Sequence, residues 1–299
     1  MSVPAISIIV PYFNPGDFLR EAIESVIAQT FTDWELLLVN DGSTDAGERI
    51  AAEFAARDPR IQTITHPDRK NHGLPATRNL GLRHARAEFV ALLDADDVWM
   101  PQKLSQQVEL ARAHPDAVMV FGRSLFWHSW NPIDREADSV PELAPGDCLY
   151  PPPELWKLCY PFGKFGAPCP SDLFIRRSAL EAVGGFEESF DHRYPTHEDI
   201  ALLSKIFLTF PVYVSTQCWD RYRRHDQSIW SRAMQDGSDE RSRQFFCEWT
   251  RVYLQEHKII DREVWTLFDK LTWRYRHPAL HRAMRAIRRT LRPLRTALE

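Results

Sequence analysis

The sequence predicts an α/β fold: a mostly parallel sheet covered by helices on both faces, followed by a helical C-terminal extension. Three observations carry that prediction. Short apolar runs alternate with amphipathic stretches of about twelve residues. The runs are rich in β-branched residues and uninterrupted, as in strands buried on both faces. Their carboxyl ends, "PYFN", "NDGSTD" and "DADD", are polar or turn-forming. In a parallel sheet those ends share one edge, where ligands bind.

"AISIIV" (5–10) is the first strand. Asn14 as N-cap with Pro15 at the first helical position starts a helix. Its Phe18, Leu19, Ala22, Ile23, Val26 and Ile27 form an apolar stripe. "WELLLVN" (34–40) is the second strand, and a turn leads into the helix of "AGERIAAEFAAR", where Asp45 and Glu48 have capping-box spacing. "RIQTITH" is a shorter strand, "LPATRNLGLRHAR" a helix, "EFVALLD" a fourth strand, "PQKLSQQVELARAH" a helix and "AVMVFG" a strand. From about Phe126 to Pro170 the rhythm gives way to a segment rich in proline and aromatics. It returns with "SDLFIRRSALEAVGGFEESF", a helix in "THEDIALLSKIFLTF" and strands at "VYVST" and "WDRYRRHD". From about Asp239 the pattern is helical.

The net charge of −4 points to no polyanionic partner, and nucleic acid is not expected. Charge is unevenly spread. Residues 274–299 hold eight of the 37 Lys+Arg and one of the 41 Asp+Glu, leaving 29 basic against 40 acidic side chains in the rest. Five cysteines with no C-x-x-C pair fit a reducing compartment and argue against a disulfide framework or a zinc site. "AISIIV" is far shorter than the roughly 20 residues that span a bilayer, so a soluble, cytoplasmic body is expected.

Four short motifs carry chemistry, and each has a plain structural alternative. In "LLDADD", strand alternation puts Asp94 and Asp96 on one side, where two hard oxygen ligands suit Mg²⁺ or Mn²⁺. Alternatively, Asp96 or Asp97 caps the helix that begins near Pro101. In "LVNDGSTD", Asp41 at a strand end can accept from a base or ribose, or the segment merely opens a helix. Neither G-x-G-x-x-G nor G-x-x-x-x-G-K-[ST] occurs, so no dinucleotide fold or P-loop is supported. In "THED", Thr196 and Asp199 have capping-box spacing, while a carboxylate at a helix start facing a cleft also suits a general base. In "YRRHDQS", Arg223, Arg224 and His225 can neutralise phosphates or complete a metal shell, or lie in a solvated strand end.

Taken together, "ISIIVPYFN", "SVIAQTFTDWELLLVNDGSTD", "GLPATRNLGL", "FVALLDADDVWMPQKL", "GGFEESF", "HED" and "YRRHDQSI" resemble, in order and spacing, the family 2 glycosyltransferases. The resemblance covers roughly residues 3–230 and is most specific over the first 105. It implies a GT-A fold with a Rossmann-like sheet and an inverting, metal-assisted transfer of sugar from a nucleoside-diphosphate sugar. By position, Pro11 and Phe13 would flank the base, Asp41 would bond it, and Arg78 would reach the nucleotide or its phosphates. Asp94, with Ala95 beside it, would lie on the ribose or sugar side. Asp96 would ligate Mn²⁺ or Mg²⁺, His225 would lie near the diphosphate and metal, and Asp97 would face away. Asp199 corresponds to the catalytic base, with Glu198 next to it on the acceptor side. Asn40 stands where many relatives carry a second Asp, and no Q-x-x-R-W follows "HED", which implies one sugar added per encounter. A non-catalytic glycan- or nucleotide-binding module and, further off, an aspartyl phosphotransferase are the alternatives.

The resemblance implies residues 1–235 as the glycosyltransferase domain, split into a nucleotide-sugar half (1–125) and an acceptor half (126–235). Residues 236–299 form the helical extension. Trp127, Trp130, Trp156, Tyr160 and Phe162 lie where the family builds the side for a glycan or lipid-linked acceptor, although aromatics also fill cores. In the tail, Leu280, Met284, Ile287, Leu291 and Leu294 at helical spacing alternate with arginines. That pattern over 276–299 suits peripheral contact with the inner face of an anionic membrane, or packing on the acidic body.

Overall fold

The computed structural model describes residues 3–280. Four βα units open the chain. They are β1 (Ile6–Tyr12) and α1 (Phe18–Ile27), β2 (Trp34–Asn40) and α2 (Gly47–Arg57), β3 (Ile61–Thr65) and α3 (Leu74–His84), then β4 (Phe89–Leu92), a two-residue β5 (Val98–Trp99) and α4 (Lys103–Ala113). There follow β6 (Met119–Trp127), β7 (Cys148–Tyr150), α5 (Glu154–Leu158), β8 (Phe174–Arg176), α6 (Arg177–Ala182), α7 (Glu198–Thr209) and β9 (Val212–Arg223). The helices α8 (Ile229–Asp236), α9 (Ser238–Glu256) and α10 (Arg262–Arg276) close the described chain. The basic tail expected at 276–299 lies, beyond Leu280, outside the described residues.

One mixed sheet runs in the order β3-β2-β1-β4-β8-β6-β9-β5, with β7 paired to β9. It is parallel from β3 to β4 and again between β6 and β9, while β8 runs antiparallel to both β4 and β6. Two reversals restore direction, so the carboxyl end of β9 lies at the same edge as those of β1, β2 and β4. Residue alternation divides the apolar side chains between the two faces. Ile6, Ile8, Val10, Leu36 and Leu38 join α1, α2 and α4 in one cluster. Ile9, Leu37 and Val39 join α3 and α7 in the other. Phe246 and Leu254 of α9 and Val264 and Phe268 of α10 belong to that second cluster, so the expected C-terminal helices share its core.

Several local expectations are corrected. Asn14 is no helix cap: it sits at φ 49° and its Oδ1 accepts from the Thr44 N–H at 2.8 Å, pinning the β1 loop to the β2 loop. Asp45 and Glu48 form no capping box, because Asp45 accepts from Gly47 N–H and Gly16 N–H while Glu48 pairs with Arg69. Thr196 and Asp199 form none either, since His197 is the N-cap of α7. Asp97 caps nothing; Gln102 holds that position for α4. "VYVST" and "WDRYRRHD" belong to a single strand, β9, whose pairing with β6 shifts register between Phe121 and Ser124. The "NDG" turn is required by space: Gly42 has φ 78°, and a Cβ there would lie 2.8 Å from the Lys70 backbone.

Helix α3 lies close on the sheet because Gly81 has no side chain. A Cβ at Gly81 would sit 2.6 Å from Ile9 Cγ2 and 3.1 Å from Val39 Cγ2. Both neighbours are buried and stiff about χ1. Gly81→Ala is therefore expected to destabilise the protein by about 1–3 kcal/mol through overpacking, read as a lower denaturation midpoint with unchanged m-value.

Candidate active site

A cavity of about 560 Å³ opens at the carboxyl edge of the sheet, within the size range of small-molecule sites. Its walls come from the ends of β1, β2 and β4, the start of α7, the end of β9, and α8 and α9. Pro11, Phe13, Asp41, Arg78, Asp94, Ala95, Asp96, Glu198, Asp199 and His225 all line it. These are the residues that the motifs single out, brought together from segments as distant as 11 and 225.

The β1 end supplies a half-exposed Phe13 above a buried Pro11. At the β2 end, the buried Asp41 accepts from the backbone N–H groups of His72 and Gly73, at 2.7 and 3.0 Å. Asn40 turns its Oδ1 to the Ser43 N–H, so it holds the turn. Past β4 the chain leaves the strand, and Asp94 and Asp96 face the cavity from a turn rather than by strand alternation. Asp97 is buried beneath that turn. It accepts from Ser171 Oγ at 2.5 Å and from the Arg223 N–H at 2.9 Å. Its facing away, implied by the resemblance, thus has a structural reason.

Arg78 is wholly buried, and its fork donates to Asp94 Oδ1 at 2.6 Å and to Glu198 Oε1 at 3.0 Å. Glu198, expected on the acceptor side, thus lines the cavity with one carboxylate oxygen committed to Arg78. Asp199 accepts from the adjacent Ile200 N–H at 2.7 Å and stays partly open to the cavity. Burial pushes the Asp199 carboxyl above its ordinary range, against the Ile200 N–H and the Arg78 charge. Burial and the neighbouring Asp199 push Glu198 up to about 7, against the Arg78 guanidinium.

Asp96 Oδ2 and His225 Nε2 lie 2.9 Å apart, both facing the cavity. The Asp96 carboxylate suits Mn²⁺ or Mg²⁺, and an imidazole beside it favours the transition ion of the two. Among the described residues no group of three or more His, Cys, Asp or Glu forms a metal cage. The donor set fits an ion that takes its remaining ligands from water and phosphate oxygens.

The acceptor-side aromatics need correction. Trp127 and Trp130 do not line the cavity. They cage the Arg223 guanidinium with Phe18, at 4.6 Å, 5.0 Å and 4.6 Å from the respective rings. Trp156 is buried and stacks on Phe162 at 3.7 Å. Tyr160 alone of that group reaches the cavity. Missed by sequence reasoning were Thr196, His197, Trp230 and Asp239, which also line it. Only the "THED" context pointed toward the first two; nothing marked Asp239.

A family model described as glycosyl transferase family 2 matches residues 7–184. The chain belongs to that family. It is 32% identical over 146 residues to the putative teichuronic acid biosynthesis glycosyltransferase TuaG of Bacillus subtilis, covering 49% of this chain and 57% of that one. The chain spans about a third to somewhat over half the length of the curated relatives it matches first. Among solved structures, S. aureus TarS 1-349 in complex with UDP-GlcNAc superposes with a TM-score of 0.59 at 14% identity, over 89% of this chain and 79% of that one. The mannosyltransferase PcManGT of Pyrobaculum calidifontis, solved with GDP-Man and Mn²⁺, gives 0.55 at 17% identity, over 85% and 65%. These likenesses show that this family 2 member has the GT-A fold. No helix among its described residues is long and apolar enough to cross a membrane.

Two predictions follow from these groups. Arg78→Met leaves Asp94 and Glu198 facing each other without a cation, and is expected to destabilise by about 3–5 kcal/mol in chemical denaturation. Burial lowers His197 from its ordinary 6.5 to about 4, so its contribution to stability is complete above 6.5 and is lost as pH falls toward 4. His197→Asn tolerates the backbone and cannot titrate. Its stability deficit against wild type should shrink by up to about 3 kcal/mol between pH 7 and 4, measured by urea melts at each pH.

Proposed function

We propose that this chain is an inverting glycosyltransferase that moves one sugar from a nucleoside-diphosphate sugar to a hydroxyl of a glycan or lipid-linked acceptor. The observation that carries the reading is the shared cavity. A carboxylate open to it, Asp199, comes from the start of α7, and the Asp96–His225 pair comes from the β4 and β9 ends. Base and leaving-group machinery thus reach one space from separate elements.

In this reading Phe13 and Pro11 flank the base and Asp41 accepts from it. UDP- and TDP-sugars are the favoured donors, in line with the UDP-GlcNAc bound by TarS. Asp96 and His225 hold Mn²⁺ or Mg²⁺, as the Mn²⁺ solved with PcManGT suggests. When bound, that ion neutralises the charge that grows on the departing diphosphate. Asp94 is held by Arg78 for the ribose or sugar. Asp199 takes the proton from the acceptor hydroxyl as its oxygen attacks the anomeric carbon from the face opposite the diphosphate, which inverts that centre. Its raised pKa brings a carboxylate closer to working pH, where a base is most effective. The similarity to TuaG supports a cell-envelope polysaccharide as the product class, assembled at the inner face of the membrane.

The test uses slow donor hydrolysis, with water in place of the acceptor, across UDP-, TDP- and GDP-sugars with and without Mn²⁺. Asp199→Asn is expected to bind UDP as wild type does in calorimetry and to lose about 10²–10⁴-fold in turnover. Asp96→Ala is expected to lose the Mn²⁺-dependent part of UDP binding. Full turnover by Asp199→Asn would remove it as the base. Absence of any nucleotide binding by wild type would defeat the reading.

A further inference from the structure

The turn that presents Asp199 is held by more than its own helix, whose Ala201 N–H donates to the His197 carbonyl at 2.9 Å. His197, immediately before Glu198 and Asp199, is in the left-handed region at φ 76° and ψ 6°. For a non-glycine residue this conformation is costly, and it persists where surroundings fix it. Those surroundings are a chain of hydrogen bonds. Tyr160 Oη lies 3.1 Å from His197 Nε2. His197 Nδ1 lies 3.0 Å from Thr196 Oγ1, which donates to Asp239 Oδ1 at 3.2 Å. Arg243 completes it by donating to Asp239 Oδ2 at 3.0 Å. Thr196, His197 and Asp239 are each more than nine-tenths buried.

The donors have one consistent order. The Asp239 carboxylate, already paired with Arg243, can only accept, so the Thr196 hydroxyl gives it its single proton. Thr196 Oγ1 must then accept from His197 Nδ1–H. That leaves Nε2 with its lone pair, and Tyr160 O–H donates to it. Histidine is neutral in this arrangement and fixed in one tautomer. A carboxylate at one end therefore sets the orientation of every group up to the turn. Asp239 and Arg243 belong to α9, outside residues 7–184 that match the family model.

The geometry points to Asp239, Thr196 and His197 as positioning residues: the C-terminal helix α9 locks the turn that aims Asp199 into the cavity. The inference rests on the glycosyl-transfer reading for Asp199, but the bond chain can be tested without turnover. Thr196→Val keeps the shape and removes the hydroxyl, while Thr196→Ser restores it.

Crystal structures of wild type and both variants form the first arm. In Thr196→Val, His197 should leave the left-handed region and the Asp199 carboxylate should move, and in Thr196→Ser both should stay. An Asp199 that keeps its wild-type place in Thr196→Val overturns the inference, whether or not any donor is turned over. The second arm is UDP-GlcNAc hydrolysis with Mn²⁺. Thr196→Val should lose about ten- to a hundredfold in kcat with KM for the donor unchanged, and Thr196→Ser should recover most of it. A variant that raises KM and leaves kcat intact also overturns the assignment. Wild type that hydrolyses no nucleotide sugar tells against the functional reading alone, and the crystallographic arm then decides.

Discussion

A buried guanidinium holds the two halves of the site together. Arg78 belongs to α3, one of its carboxylates follows β4, and the other opens α7 120 residues along the chain. A charge taken from water costs several kcal/mol unless partners of good geometry offset it. Neither carboxylate alone would suffice. The helix that carries Asp199 is therefore tied to the sheet face where Glu198 meets Arg78. Stability and active-site geometry are one constraint at this point.

A second support lies beneath Asp96. The Asp97 carboxylate is shared by Ser171 and the Arg223 backbone, and Arg223 Nε donates to the Asp96 carbonyl at 2.7 Å. Three aromatic rings surround that guanidinium, and Glu21 pairs with its outer nitrogen. The turn is thus fixed from below, while the Asp96 carboxylate above stays free to meet His225 and a ligand. The tryptophans expected on the acceptor side serve this support instead. An aromatic ring offers the same face to a guanidinium as to a sugar.

The sequence made the strands and the cavity edge legible because both depend on local pattern. Buried parallel strands show as uninterrupted β-branched runs, and their polar ends mark the edge whatever the tertiary detail. The tight "NDG" turn was legible for the same reason. Pairings across long separations were not. Nothing near Glu198 announces Arg78, and capping-box spacing at Thr196 and Asp199 suggested a local partnership where the actual partner of Thr196 is Asp239. Propensity also misled at Asn14, where a residue good at capping is equally good at a left-handed loop position. The antiparallel β8 escaped notice because three residues carry no period.

Strand β9 ends at Arg223, two residues before His225 at the cavity wall, so whatever gathers Asp96 and His225 around itself also clamps the chain where that strand ends. Occupancy and strand order are then linked quantities, and ligand adds RT ln(1 + [L]/Kd) to the free energy of opening that end. The backbone amides near residue 223 become a reporter: their hydrogen exchange slows in proportion to how full the cavity is.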